Sequence, residues 1–501
     1  MDKCNNNNIM NNNNIMNNNN NNNIMNNNNN IMNNNNNNMN NNNNSNMNNN
    51  NSNMNNNNTN DKLFFSIWRN VYLFCQIQRH LRLYKENKKI VINMSMDQLR
   101  YHPHRRYAST ITIQIDQPLE PHGQAIPYGA TGIEFPHKFN QPIKAGDLPN
   151  SVTKLLFGPH YTPQEFSIGT FPSSLAHLNI YTFNKCIEPG LFNSVTELYL
   201  NSFNQVLKIG DLPKTCRKLH LFSYNQPLYP NVLPQLIKLH LSTFNRPLLE
   251  QGILPESITE LNMNKYNHRL LNSLSSLTSI KTLEMDYFNQ VISSNELPNT
   301  IETLKLILFN QRLKPNVLPS SIIVLCLNNY NYPLEPQVIP PKVQTLDLYR
   351  YNCEFGEHLL PNSLLRLSLS RFNKFLFENF LPSSITDLDF GDDGPNTFET
   401  KSIPPSVKIL RFPSLHRLLL PTGIIPDSVV DLTLPPHYNH PLQIGLLPKS
   451  LTKLSFGYYY NQPLKPNTIP QSVTQIKLYG PYNHTIPDSL INRLNIKKYN
   501  F

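Results

Sequence analysis

Residues 224–241 read YNQPLYPNVLPQLIKLHL, and this phrase decides the fold because it returns along most of the chain. Its first two residues, a Phe or Tyr followed by Asn, recur about every 21 residues. The Asn anchors are Asn140, Asn184, Asn204, Asn225, Asn245, Asn267, Asn289, Asn310, Asn331, Asn352, Asn373, Asn439, Asn461 and Asn483. A period of about 20 to 50 residues is typical of stacked identical units, so we expect function to lie in an extended surface rather than in a pocket.

Two longer gaps between anchors hide units in which the dipeptide has changed. In residues 161–175, Tyr-Thr replaces the dipeptide while the second half of the phrase is kept, and residues 403–407 and 425–429 mark two further units. Residues 116–127 indicate an aberrant first unit. The array is therefore predicted to fill roughly 107–501, with about 17 to 18 turns and a length on the order of 80 Å.

Each unit carries one short alternation of apolar and other residues, such as Leu239-His240-Leu241. A period of two predicts a strand whose middle side chain faces away from the core. One or two prolines in the rest of each unit argue against long helices. The predicted fold class is mainly β, a repeat solenoid with one short parallel strand per unit of about 21 residues.

The phrase Phe-Asn-x-Pro-Leu followed by Leu-Pro-x-Ser-Val resembles that of the FNIP repeat proteins, relatives of the leucine-rich repeats, over about four fifths of the chain. The resemblance implies a leucine-rich-repeat-like solenoid used for protein binding. The ordinary leucine-rich repeat places Asn three residues after its strand, whereas here Phe203 holds that place and Asn204 follows. We therefore expect the aromatic ring inside and the Asn at the turn, and this departure argues against a strict asparagine ladder.

Residues 1–60 contain 42 Asn and are predicted to be disordered, because such a tract cannot bury enough apolar area to offset the entropy of ordering it. The tract offers Asn side chains to neighbouring copies, which is a route to self-association. We expect no secretory signal, no membrane span and, from six scattered cysteines, no disulfide framework. The protein is expected to be intracellular, cytoplasmic or nuclear.

Residues 61–106 form a third region, with ten Lys and Arg against three acidic residues. Apolar residues recur there at steps of three and four, which predicts one amphipathic helix or two short ones. The candidate docking residues are Phe64, Ile67, Trp68, Val71, Phe74, Ile77 and Leu81.

Three interpretations of this segment stay open. It can be a helical cap over the first strand of the array, because exposed sheet edges invite pairing. It can be a docking helix, and some FNIP-repeat proteins carry an F-box at this end that delivers a substrate receptor to a cullin-type ubiquitin ligase. It can also be a basic patch for nucleic acid or an anionic membrane. That patch would consist of Arg79, Arg82, Lys85, Lys88 and Lys89.

The side chains that point outward from the strands are the predicted protein-binding surface, where charges and aromatic rings are unevenly distributed. A basic block lies beside an acidic one, a second acidic stretch follows, and aromatic residues add anchor area. The candidates are Tyr199, Lys218, His220, Phe222, Lys238, His240, Glu260, Glu284, Asp286, Asp347, Tyr349, Asp387 and Asp389.

Catalytic motifs are missing from the sequence: there is no Gly-rich phosphate loop, no H-E-x-x-H and no nucleophile elbow. We expect no cofactor and no metal. The sequence therefore predicts a non-enzymatic protein-interaction scaffold. A ubiquitin-ligase substrate receptor is the alternative, and nucleic-acid binding through the 79–89 cluster is a second one.

Overall fold

The computed structural model describes residues 65–66, 69–121, 124–162, 165–391, 401–413 and 420–499. The chain divides into two compact units, Met1–Gln76 and Ile77–Phe501. The Asn-rich tract at 1–60 lies outside the described residues. The second unit holds the sheet that defines the fold.

Twenty strands of three to five residues form one sheet in the described part of the chain, and each strand pairs in parallel with the next one along the sequence. They are β1 (Lys89–Ile92), β2 (Thr110–Ile113), β3 (Gly132–Phe135), β4 (Lys154–Phe157), β5 (His177–Ile180), β6 (Glu197–Tyr199), β7 (Lys218–His220), β8 (Lys238–His240), β9 (Glu260–Asn262), β10 (Thr282–Glu284), β11 (Thr303–Lys305), β12 (Val324–Cys326), β13 (Thr345–Asp347), β14 (Arg366–Ser368), β15 (Asp387–Asp389), β16 (Ile409–Arg411), β17 (Asp431–Thr433), β18 (Lys453–Phe456), β19 (Gln475–Tyr479) and β20 (Asn495–Tyr499). The predicted solenoid of one parallel strand per unit is confirmed.

Helices are few among the described residues, and within the repeat units they are short. They are α1 (Val71–Asn87), α2 (Asp97–Arg100) and α3 (Asp488–Ile491), with single 3-10 turns at Arg105–Tyr107 and Pro466–Thr468. The prolines of each unit explain this, because proline removes a backbone donor and clashes inside a helix. No helix in the described ranges is long and apolar enough to cross a membrane.

The strand β8 shows how the sequence pattern sets the core. Leu239 is completely buried, while Lys238 and His240 on either side are half-buried on the outer face. The register aligns Leu239 with Leu219 of β7 and Leu261 of β9. A continuous column of leucines therefore runs along the axis, and each turn buries its apolar side against its neighbours.

A second internal column consists of the aromatic anchors. The rings of Phe203 and Tyr224 stack with centroids 6.1 Å apart, and Tyr224, Phe244 and Tyr266 follow at 6.3 Å intervals. All four side chains are fully buried. The expectation of an aromatic ring inside the turn is confirmed.

The asparagines next to these rings form a ladder, so the expectation against a strict ladder is wrong. The backbone N–H of Asn225 donates to Oδ1 of Asn204 at 2.8 Å, and the N–H of Asn245 donates to Oδ1 of Asn225 at 2.9 Å. The bond recurs for Asn267, Asn289, Asn310, Asn331, Asn352, Asn373, Asn461 and Asn483. Because the ring occupies the interior, the next residue points along the axis, and its side-chain oxygen reaches the backbone of the following turn.

The serines of the Leu-Pro-x-Ser phrase form a second column of hydrogen bonds between successive turns. Ser428 Oγ donates to the carbonyl oxygen of Val407 at 2.7 Å, and Ser450 Oγ donates to that of Val429 at the same distance. The Ser of the Leu-Pro-x-Ser phrase thus satisfies a buried carbonyl of the preceding turn.

The two ends of the sheet differ from the prediction. Strand β1 lies inside the segment 61–106, which was expected to be helical. Lys89–Ile92 favours a strand because it contains three consecutive β-branched residues, and its positions alternate between exposed and buried. Nineteen strands, β2 to β20, lie within 107–501, which is more than the 17 to 18 turns expected. The turn of β2 was predicted as the aberrant first unit, whereas the turn of β20 was not counted because it carries no complete copy of the repeated phrase.

Candidate protein-binding surface

The outward face of the sheet is built from the first and third residue of each strand. In β6 to β8, the row of first residues contains Glu197, Lys218 and Lys238. The row of third residues, or third-residue row, contains Tyr199, His220 and His240. These side chains are half-buried, because the neighbouring strands lie about 4.8 Å away on each side. The candidate residues on these strands therefore touch their counterparts in the adjacent turns.

Three candidate residues form a stack of rings across β6 to β8. The Tyr199 and His220 rings lie 4.1 Å apart and nearly parallel, and the His220 and His240 rings lie 4.2 Å apart. Burial, followed by the nearby His240, lowers the pKa of His220 to about 4. The His220 ring is therefore neutral at pH 7 and acts as part of an aromatic platform.

The predicted basic block is neutralised by carboxylates on either side of it. Lys218 forms an ion pair with Glu197, and Lys238 forms one with Glu260. His240 Nε2 lies 2.9 Å from Oε1 of Glu260. The hydrogen bond from Lys218 is the main reason why the pKa of Glu197 lies below its usual value. The sequence reasoning missed Glu197, although its place directly before the Leu198-Tyr199-Leu200 alternation was the signal.

The first acidic group is also partly compensated. Lys305 Nζ lies 2.6 Å from Oε1 of Glu284. Burial, and next the charge of Glu284, raise the pKa of Asp286. Three strands further on, burial raises the pKa of Asp347, whose Oδ2 accepts a hydrogen bond of 2.9 Å from Asn328.

The second acidic stretch is bridged by arginines that the sequence reasoning did not single out. Arg366 lies 3.3 Å from Asp387, and Arg411 lies 2.9 Å from Asp387 and 3.7 Å from Asp389. The guanidinium of Arg371 lies 5.7 Å from the centre of the Tyr349 ring.

The thirteen candidates do not form one site. Nine strand spacings separate β6 from β15, which is about 43 Å at about 4.8 Å per strand. The structure brings together one group around Tyr199, His220, Lys238 and Glu260, a second at Glu284 and Asp286, and a third from Asp347 to Asp389. Phe222 is the exposed aromatic member of the first group.

The candidate docking helix is partly described. Phe64, Ile67 and Trp68 lie outside the described residues. Within α1, Val71 and Leu81 are exposed, whereas Phe74 and Ile77 are half-buried.

Two side chains of the basic patch form ion pairs with carboxylates. Arg82 lies 4.0 Å from Glu86, and Lys89 lies 3.1 Å from Glu134. In the described ranges, no group of three or more His, Cys, Asp or Glu side chains is placed to hold a metal ion.

The family described as FNIP Repeat matches eight segments, residues 139–182, 161–203, 183–223, 203–243, 309–350, 351–393, 438–480 and 460–492. No curated protein resembles the chain closely enough to count as a match.

Several solved structures are similar to the chain, and the first two below are described as LRR proteins. CroV588, described as a novel circular LRR protein, is 25% identical, with a TM-score of 0.45 over 79% of this chain and 76% of that one. The Leptospira interrogans LRR protein LIC12759 is 16% identical, with a TM-score of 0.43 over 65% of this chain and 94% of that one. The TLR13 chain of a complex with ssRNA13 is 13% identical, with a TM-score of 0.36 over 78% of this chain and 53% of that one.

Proposed function

Because this chain is a FNIP-repeat protein with a leucine-rich-repeat-like solenoid, we propose that it is a non-enzymatic scaffold that binds protein partners on the outward face of β6 to β15. The repeat architecture supports a binding scaffold in general. The choice of this face and the absence of catalysis are our inference. The lack of a catalytic motif in the sequence supports the non-enzymatic part.

The carrying observation is the contrast between the two faces of each strand. Inside, the same residue types repeat from turn to turn because the leucine and aromatic columns require them. Outside, the third-residue row changes from Tyr199 to His220 and later to Glu284 and Asp347, with no packing rule to dictate the choice. An ordered platform with a varied set of rings and charges is suited to recognising a protein surface.

The proposal is tested by charge reversal on the first acidic group. Partners captured from the native cell are identified, purified and titrated against the wild-type chain and a Glu284→Lys, Asp286→Lys variant. We expect at least a tenfold loss of affinity for a partner that docks there. The two lysines would repel the partner's basic groups, which the two carboxylates attract. Asp431→Lys, on β17 outside the proposed face, is the matched control. Equal affinity of all three proteins for every captured partner would contradict the proposal.

A second candidate function belongs to α1, the docking helix of a ubiquitin-ligase substrate receptor. The observation that favours it is the exposure of the apolar residues Val71, Leu73 and Leu81 on a helix. Val71→Glu with Leu81→Glu should abolish recovery of a cullin-type ligase adaptor, and Arg82→Glu is the control that adds charge without removing apolar area. If no such adaptor is recovered with the wild-type chain, this second candidate fails.

A further inference from the structure

A row of exposed apolar side chains runs along one side of the solenoid, next to the asparagine ladder. The ladder places the residues two and four positions after each Asn anchor at equivalent sites in successive turns. In each of five consecutive turns, one of these two sites carries an exposed apolar side chain, and we name these five residues the lateral strip: Val206, Tyr229, Leu249, Leu271 and Val291. Leu249 is 78% exposed and Leu271 is 68% exposed. Large exposed apolar areas on a folded surface mark interaction sites.

Folding does not require the lateral strip to be apolar. The residue between the two exposed sites, such as Leu228, Leu248 or Leu270, is buried and apolar. The exposed site four residues after the anchor, in contrast, is Lys314 in a neighbouring part of the array and Lys465 near its other end. Because the same site accepts lysine elsewhere, leucine at 249 and 271 has a reason other than packing.

The strip ends at the turn in which both sites are charged. After the turn that contains Val291, the same two sites carry Arg312 and Lys314, and Arg312 Nη2 lies 2.6 Å from Oε1 of Glu335 in the following turn. The apolar area is therefore bounded at this end of the strip. It covers five turns, about 19 Å between the first and the last at about 4.8 Å per turn.

We propose that the lateral strip docks an amphipathic α-helix of a protein partner, with acidic residues flanking its apolar face. The pitch of an α-helix is about 5.4 Å, close to the spacing of the turns, so a helix of about 13 residues aligned with the solenoid axis would place an apolar side chain against each turn. The strip lies in the segments that follow the strands and includes none of the strand residues that form the outward face of the sheet. This inference therefore goes beyond the proposed function, and either can fail without the other.

The charges beside the strip select the partner. Lys208, Arg246 and Arg269 are exposed there, against the exposed carboxylate of Glu250. A helix with acidic flanks is attracted electrostatically to these basic side chains. The helix α1 of a second copy is disfavoured, because its last turns carry Arg79, Arg82 and Lys85 against Glu86.

The test uses two synthetic 14-residue helical peptides with the same leucine face, one flanked by Glu and the other by Lys. Binding is measured by fluorescence anisotropy against the full chain. We expect the Glu-flanked peptide to bind at least tenfold more tightly than the Lys-flanked one. A Leu249→Asp, Leu271→Asp variant should lose at least tenfold in affinity, while Lys314→Asp, at the same site of another turn, should bind as the wild type does.

Several outcomes would overturn the proposal. They are equal binding of the two peptides, no binding of either, or wild-type affinity of the double aspartate variant. If the aspartate variant does not fold by circular dichroism, Leu249→Ala with Leu271→Ala replaces it, with at least a threefold loss expected. Sedimentation velocity is measured in parallel: a wild-type dimer that becomes monomeric in the double variant would show that a second copy occupies the strip, which also overturns the proposal.

Discussion

The side-chain oxygen of Asn204 accepts a hydrogen bond from the backbone N–H of Asn225 across 2.8 Å, which joins one turn of the solenoid to the next. Asn225 repeats the contact with Asn245 at 2.9 Å. At the start of the array Asp116 takes the same role, since its Oδ1 accepts from the N–H of Asn140 at 2.9 Å. The column therefore needs a side-chain oxygen at this site more than it needs an amide.

Replacing Asn225 by Ala should destabilise the protein by about 1 to 2 kcal/mol, because the N–H of Asn245 loses its acceptor. Urea unfolding followed by circular dichroism measures the change. Asn225→Asp keeps an oxygen at the site and should cost less than half as much. Equal losses for the two variants would show that the acceptor is not what matters.

The internal ring column predicts that Phe244 and Phe222, which lie in successive turns, contribute very differently to the free energy of unfolding. Phe244 is fully buried against Tyr224 and Tyr266, so Phe244→Ala should cost about 3 to 5 kcal/mol. Phe222 is exposed, and Phe222→Ala should change the free energy of unfolding by less than about 0.5 kcal/mol. Both are measured by denaturant unfolding. Similar costs for the two variants would contradict the assignment of inside and outside.

The half-buried imidazole of His220 predicts a pH dependence of stability. Its pKa is lowered to about 4 in the folded chain, against 6.5 as the ordinary value, so the unfolded chain binds a proton first as the pH falls. The stability lost between pH 6.5 and pH 4 should be smaller in His220→Phe, which keeps a ring against Tyr199. With allowance for solvent screening, we expect the difference between pH 7.5 and pH 5 to be about 1 kcal/mol smaller in the variant.

Urea unfolding at the two pH values gives this difference directly. The other titrating groups are common to both proteins, so their contributions cancel to first order. Parallel pH profiles for the wild type and His220→Phe would refute the assignment.

Lys498, in the last described strand, is predicted to limit the self-association of the protein. Lys498 of β20 is paired in register with the buried Leu478 of β19, and its Nζ lies 5.5 Å from the centre of the Tyr482 ring. A lysine at a site that is leucine in the neighbouring turn keeps an edge strand from pairing with other chains. Lys498→Ile should therefore increase concentration-dependent association in sedimentation velocity. Lys497→Ile, one residue away in the same strand, is the control and should associate less.

The sequence predicted the features that follow from periodicity, such as the buried Leu239 and the inward ring of Phe203. It did not predict the asparagine ladder, because the one-residue offset of Asn204 from the leucine-rich-repeat position gave no information on where the side-chain oxygen points. Strand β1 was missed since four residues after a helix are too short a run to show a period.

The candidate surface was harder to predict, because partners across strands depend on register. Lys218 and Lys238 were recognised as neighbours, yet Glu197 and Glu260 neutralise them from the strands on either side. The lateral strip was missed for a related reason. Tyr229 and Leu249 stand in proline-containing segments between strands, and only the ladder shows that these segments stack with equivalent sites aligned.

The measurement that tests the account most directly compares the partners of two matched variants by quantitative mass spectrometry after capture from the native cell. His220→Ser with Phe222→Ser alters the proposed face at β7. Lys477→Ser with Tyr479→Ser alters the same two positions at β19, outside that face. We predict that the recovered amount of at least one specific partner falls at least tenfold with the first variant and stays at the wild-type level with the second. Partner levels that remain unchanged in the first variant, or fall equally in both, would contradict a scaffold that binds through the outward face of β6 to β15.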